Sequence, residues 1–272
     1  MTHSGADIST LLETNGLRPS RALGQNFVAD PNTVRRIARL AELGPSSSVL
    51  EFGAGLGSLT LALAETGARV VAVELDRHLL PVLRSVVEPA GVQVVAGDAM
   101  TLDTAGLLAE QGGGPWSLVS NLPYNLATPL VLRTLVDVPA VDHLLVMVQR
   151  EVGERMAARV GDPAYGSVSV RVAYFARSTL AGRVPASVFI PRPRVESVLV
   201  RMERRSEVAV DPAEVAYPRL AAVVKAGFGQ RRKMLRRSLA GVVEPEAFAR
   251  AGVRPEARAE ELTVEDWGRL AR

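Results

Sequence analysis

A chain of 272 residues, 47% hydrophobic and 22% charged, has room for one large domain or two smaller ones around a sizeable core, and nothing in its composition reads as disordered or fibrous. No apolar run approaches the ~18 to 20 residues of a bilayer span, and the absence of cysteine excludes disulfides, a thiolate nucleophile and cysteine-held zinc. The net charge of +3 hides a basic excess that gathers late in the chain.

The first residues, with Asp7 and Glu13 and no basic flank before an apolar core, do not read as a signal peptide, so a cytoplasmic location is expected. His3, His78 and His143 are too scattered to suggest a metal cluster, and no metal is expected. Residues 1–20 read as a mobile or loosely attached arm. Asp30 then caps a helix with Pro31 at its first position and Val34, Ile37, Ala38 and Ala41 at helical spacing. Ahead of it, Gln25-Asn26-Phe27 is either a capping turn with a buried ring or a lid over a cofactor.

From Ser47 a regular alternation begins. Strands are expected at Val49–Phe52, Arg69–Glu74, Val92–Ala96, 116–120 and His143–Val148, with helices at Ser58–Thr66, Asp76–Val87 and Pro129–Val136 between them. That pattern implies an α/β fold, a parallel sheet with helices on both faces, in which ligands bind beyond the carboxyl ends of the strands. Gly53, Glu74, Asp98 and Asn121 stand at four successive strand ends, spaced by 21, 24 and 23 residues, so their side chains converge on one rim. Gly53 and Gly55 let a turn approach a ligand closely. Glu74 suits a ribose hydroxyl pair and Asp98 an adenine amino group. The glycine loop serves nicotinamide and S-adenosylmethionine enzymes alike, or is a structural turn; Ser58 in place of a further glycine favours methyl transfer.

Asn121-Leu122-Pro123-Tyr124 follows the apolar run of the fourth strand. The Asn121 amide oxygen and the Leu122 carbonyl form a pair of acceptors for the two hydrogens of an exocyclic amine. Pro123 stiffens the turn, and Tyr124 offers a ring on which a base stacks. The plainer reading is a strand-to-loop turn.

After Gln149 a charged amphipathic helix is expected over Arg150–Val160, then an apolar stretch and a strand near Thr179–Val184. A proline-rich turn, Val188–Ser197, leads into the strand Val198–Met202. Its Phe189 is either a core anchor or an exposed ring opposite Tyr124. Beyond a linker near Ser206–Pro212 the chain reads as helical. Lys225, Arg231, Arg232, Lys233, Arg236 and Arg237, with Arg192 and Arg194 upstream, form a basic excess suited to phosphate contacts or simply a solvated face. The expected division is therefore an arm over 1–20, a catalytic domain over 21–205 and a helical domain over 206–272.

Gly24-Gln25-Asn26-Phe27, the run Glu51–Thr60, Glu74-Leu75-Asp76, Gly97-Asp98-Ala99, Asn121–Tyr124, Phe189–Ser197 and Phe228–Lys233 stand in the order of the rRNA adenine N6-dimethyltransferases, which this chain resembles from about residue 20 to its end. The basic Phe228–Lys233 segment resembles the small-subunit branch, the KsgA type. The resemblance implies a Rossmann-like methyltransferase sheet with a small C-terminal helical domain, and S-adenosylmethionine as cofactor. It implies cofactor contacts from Asn26, Val28, Gly53, Glu74, Asp98 and Asn121, and a target base held by Asn121–Tyr124 with Phe189 on its other face. It further implies N6-dimethylation of two adjacent adenosines in the 3′-terminal hairpin of small-subunit rRNA, a role in subunit assembly, and a monomer. RNA contacts are expected at Arg192, Arg194, Arg231, Arg232, Lys233 and Arg236. Many members carry Pro at the position of Ala54 and Ile or Val at that of Phe52. Three other readings remain: a large-subunit methyltransferase conferring macrolide resistance, a non-catalytic assembly factor, and a nicotinamide oxidoreductase.

Overall fold

A computed structural model describes residues 2–272. They fall into two compact units, one running to Gly153 and resuming over Thr179–Glu203, the other made of Glu154–Ser178 and Arg204–Arg272.

The first unit begins with helix α1 (Gly5–Thr14), capped by a reciprocal Ser4–Asp7 box. Its Ile8 and Leu12 are buried with Phe27, Leu56, Leu79 and Val82. The arm expected over residues 1–20 is thus corrected: apart from Met1, which lies outside the described residues, it carries a docked helix, because an apolar stripe on a capped helix lowers its free energy by leaving water. Helix α2 (Pro31–Leu40) starts as the sequence predicts, with the Asp30 carboxylate accepting from the Asn32 and Thr33 amides.

The sheet then follows: β1 (Ser48–Phe52), α3 (Ser58–Ala64), β2 (Arg69–Glu74), α4 (Leu80–Val87), β3 (Gln93–Ala96), α5 (Thr104–Glu110), β4 (Trp116–Asn121), α6 (Ala127–Asp137) and β5 (Val141–Gln149). After α7 (Arg150–Ala157) and α8 (Ser167–Phe175), strands β6 (Ala176–Val184) and β7 (Ser197–Arg204) complete it. Across the sheet the order is β3-β2-β1-β4-β5-β7-β6. β1 through β5 pair in parallel, and β7 runs antiparallel to β5. Near-continuous apolar runs such as Val49-Leu50 and Val70–Val73 suit strands covered on both faces, and all of these side chains are buried.

The chain reverses its direction of winding between β1 and β4, where an open α/β sheet forms its crevice. Those two strands pair through Val49–Ser117 and Leu50–Leu118. At their carboxyl ends the Ser120 hydroxyl accepts the Phe52 amide at 2.9 Å, holding the two strands where Gly53 and Asn121 emerge.

The second unit is helical: α8, α9 (Tyr217–Gly229), α10 (Leu235–Ser238), α11 (Pro245–Ala251) and α12 (Val264–Ala271). Its centre is Trp267, fully buried against α9, where a side chain on Gly227 would meet the indole at 2.4 Å. The Tyr165 hydroxyl donates to the Leu262 carbonyl at 2.7 Å, and the Tyr165 ring meets Phe228 edge-on. These contacts correct the expected boundary. Residues 154–178 precede β7 and run into the start of β6, yet pack with the C-terminal helices, and the described N-terminal residues join the sheet unit rather than forming a separate arm.

Candidate active site

A cavity of about 1070 Å3, its open mouth included, lies at the carboxyl ends of β1, β2, β3 and β4. Asn26, Val28, Gly53, Gly55, Glu74, Asp98, Asn121, Leu122, Pro123 and Tyr124 all line it. The sequence missed Glu51, Ser58, Leu75 and Asn125, which line it too.

The glycine loop is sterically required. Gly55 has φ +61, and a side chain there would meet the Phe27 ring at 3.0 Å; Gly57 has φ +83 and would meet Val87 at 2.6 Å. Glu74 is buried, and its two carboxylate oxygens accept the amides of Gly55 at 2.7 Å and Asp76 at 2.8 Å. Burial pushes its carboxyl up, while hydrogen bonds from the Asp76, Gly55 and Leu75 backbone pull the other way. Asp98 receives the Met100 amide at 2.8 Å on one oxygen.

A polar chain ties the N-terminal loop to this acid. Gln25 accepts the Ser20 amide at 2.7 Å and donates to Asp76 at 2.8 Å, and Asp76 in turn donates its amide to Glu74. Gln25 and Asp76 were visible only as parts of longer motifs, because residues 51 positions apart meet only when the chain is folded. Glu51 is a second buried acid on the cavity wall, bonded by the Thr60 hydroxyl at 2.6 Å. Burial pushes its carboxyl up to about 8, so it is protonated at neutral pH.

Asn121 is held by its amino group, which donates to the Asn26 carbonyl at 3.0 Å. Its amide oxygen is thereby left as an acceptor at the cavity. The Leu122 amide donates to the Met147 carbonyl of β5 at 3.1 Å, anchoring the turn to the sheet. The half-buried Tyr124 has its hydroxyl 2.8 Å from that of Ser197. Of the two readings the sequence left open for Phe189, the core anchor is the one found, against the position facing the base that the resemblance implies. Phe189 is 3% exposed, packed in the core, pairs with Val28 in a short antiparallel ribbon and does not line the cavity. Its apolar surface draws Phe189 into the core with Val28 and Leu199.

The residues fit S-adenosylmethionine. The carboxylate of Glu74 faces a cavity large enough for a cofactor, and Ser58, lining it, has a buried hydroxyl with no protein partner. Among the described residues there is no cluster of His, Asp or Glu able to hold a metal ion.

The sheet order, the glycine turn and the acids at successive strand ends define an S-adenosylmethionine-dependent methyltransferase. The family model for ribosomal RNA adenine dimethylases matches residues 17–272, and the chain belongs to that family. It is 45% identical to ribosomal RNA small subunit methyltransferase A of Streptomyces griseus, over 98% of this chain and 93% of the relative. It is also 45% identical to the protein of that name from Streptomyces coelicolor, over 98% and 94%. Among solved structures, the 23S rRNA methyltransferase ErmE is 27% identical with a TM-score of 0.69, over 90% of this chain and 98% of that one. A dimethyladenosine transferase from Plasmodium falciparum, at 22% identity and a TM-score of 0.73 over 89% and 94%, shares the fold. No helix among the described residues is long and apolar enough to cross a membrane.

Proposed function

We propose that this chain dimethylates N6 of two adjacent adenosines in the 3′-terminal hairpin of small-subunit rRNA, in the context of the small subunit, and takes part in that subunit's assembly. The observation that carries the catalytic part is the commitment of the amino group of Asn121, which lines the cavity with Tyr124, to the Asn26 carbonyl, so that the amide oxygen is the atom left to accept. Bound S-adenosylmethionine supplies an electrophilic methyl group on a sulfonium. Glu74 holds the ribose hydroxyls, Asp98 the adenine amino group, and Asn26, Val28, Gly53 and Gly55 the remainder of the cofactor. The N6 lone pair of adenine is delocalised into the ring. With its hydrogens accepted by the Asn121 oxygen and the Leu122 carbonyl, the nitrogen pyramidalises and its lone pair turns toward the methyl group. The base leaves its stack to enter, and Tyr124 repays part of that cost.

The RNA is held by phosphate contacts, and the expected set is refined by the ion pairs. Arg231 is bonded to Glu260 at 2.6 Å and Arg236 to Glu256 at 3.2 Å. Arg232, Lys233 and Arg237 in the helical unit, and Arg192 and Arg194 in the sheet unit, are exposed and make no side-chain bond among the described residues. These five are the stronger candidates, because a phosphate meets them without displacing a carboxylate. The similarity to ErmE keeps large-subunit rRNA as the second reading.

The test is transfer of labelled methyl from S-adenosylmethionine to small subunits lacking the modification, with large subunits in parallel and the product mapped by nuclease digestion and mass spectrometry. Dimethyladenosine in the small subunit supports the reading. Label confined to the large subunit moves the chain to the resistance branch, and tight binding without label leaves an assembly factor.

A further inference from the structure

The turn that carries Tyr124 is fixed at its start by Pro123 and by the Leu122 amide on Met147. The far end of the ring is fixed by something else. The Tyr124 hydroxyl lies 2.8 Å from the hydroxyl of Ser197, 73 residues away. Ser197 is 0% exposed and opens β7, paired in register with Gln149 of β5. The residue before it is fastened as well, the Arg150 amide donating to the Glu196 carbonyl at 3.0 Å. Ser197 is therefore a rigid, water-excluded anchor at the edge of the catalytic turn.

Phe27, Phe52 and Tyr124 are the aromatic residues of the cavity wall. Phe27 and Phe52 are 6% and 2% exposed, so Tyr124 alone among them has a ring face to offer a base. With Phe189 in the core, no second ring corrects a tilt of the first. A ring held at Cβ alone turns about its long axis. A phenolic hydrogen bond prefers the ring plane, so a partner at the far end fixes that rotation too. Burial pushes the Tyr124 phenol up, keeping it protonated, so the bond orients the ring and carries no proton to or from the substrate.

We propose that Ser197 is a positioning residue for methyl transfer, setting the plane of the Tyr124 ring on which the target base stacks; this rests on the functional reading above.

The test is a double-mutant cycle of Ser197→Ala and Tyr124→Phe, read as single-turnover methyl transfer to unmethylated small subunits, with S-adenosylmethionine affinity by calorimetry and melting temperature alongside. Either single variant is expected to lower the single-turnover rate by about three- to tenfold, the worth of one hydrogen bond. The double variant is expected to be no slower than either single one, and cofactor affinity stays at the wild-type value in all three. Ser197→Thr, which keeps the hydroxyl, is expected to recover most of the rate. Independent, multiplying losses would overturn the proposal, as would a normal rate in Tyr124→Phe. If Ser197→Ala does not fold, Tyr124→Phe still decides, because it removes the same bond from the half-buried side. No transfer by the wild-type chain would instead count against the functional reading itself.

Discussion

The amino group of Asn121 donates to the main-chain carbonyl of Asn26 at 3.0 Å, across 95 residues of sequence. The amide at the end of β4 and the loop on the cofactor side of the cavity are thereby one structure. Asn121→Ala removes the acceptor proposed for the amine and is expected to lower the single-turnover rate by about 10² to 10³, the range for losing one preorganised transition-state hydrogen-bonding group. Asn121→Asp, unable to donate to Asn26, should be no better than Ala; rapid-quench methyl transfer distinguishes these outcomes from a wild-type-like rate.

Glu74 receives the Gly55 and Asp76 amides within a buried wall. Glu74→Ala strands both donors and removes the acceptor proposed for the ribose hydroxyls. Cofactor affinity should fall by about 10- to 100-fold, since hydrogen bonds to a charged group are worth about 1.5–3 kcal/mol. Calorimetric titration with S-adenosylhomocysteine reads this without turnover.

Glu51 makes stability depend on pH. Its carboxyl, held at about 8 in the folded chain, returns toward 4.5 on unfolding. Between those values the folded state holds a proton that the unfolded state has released, so stability falls as pH rises through the window and no further above it. Glu51→Gln abolishes this contribution. Melting curves from pH 5 to 9 should show the variant gaining on the wild type toward alkaline pH; parallel curves would refute the assignment.

Among the described residues Arg232 and Lys233 have no carboxylate partner, whereas Arg231 and Arg236 do. Arg232→Gln combined with Lys233→Gln is expected to lower the slope of log affinity against log salt by about 1.4 to 1.8 for rRNA fragments. Arg231→Gln combined with Arg236→Gln should change it by less. Exposed ion pairs contribute only about 0–1 kcal/mol each, so stability should hardly change in either case. Filter binding at several salt concentrations separates the two pairs.

Ile8 is fully buried beneath α1. Ile8→Ala is expected to cost about 2–5 kcal/mol of stability. If α1 were only loosely attached, urea denaturation would show almost no change.

Most of the cavity rim was legible in the sequence because it is written in local order. Each strand of the parallel sheet is an apolar run, each is followed by a turn, and the residue at that turn stands at the same edge; Gly53, Glu74, Asp98 and Asn121 needed only that periodicity. That the Asn121–Tyr124 turn stands at the cavity was legible for the same reason, since it is contiguous. The second aromatic was not. A lone Phe in a proline-rich loop has no periodicity to say which way its ring faces, and the apolar core around Val28 and Leu199 claimed it.

By itself, the sequence determined the class of fold, the rim of the cavity and the basic character of the C-terminal unit, because spacing, turn chemistry and charge are properties of short stretches. Only the tertiary structure decided which atoms of those residues are already engaged. The Asn121 amide is oriented by a backbone carbonyl, the Tyr124 hydroxyl is anchored by Ser197, and residues 154–178 pack with the C-terminal helices. Hydrogen bonds and burial between residues far apart in sequence are made by packing, and no local pattern encodes them.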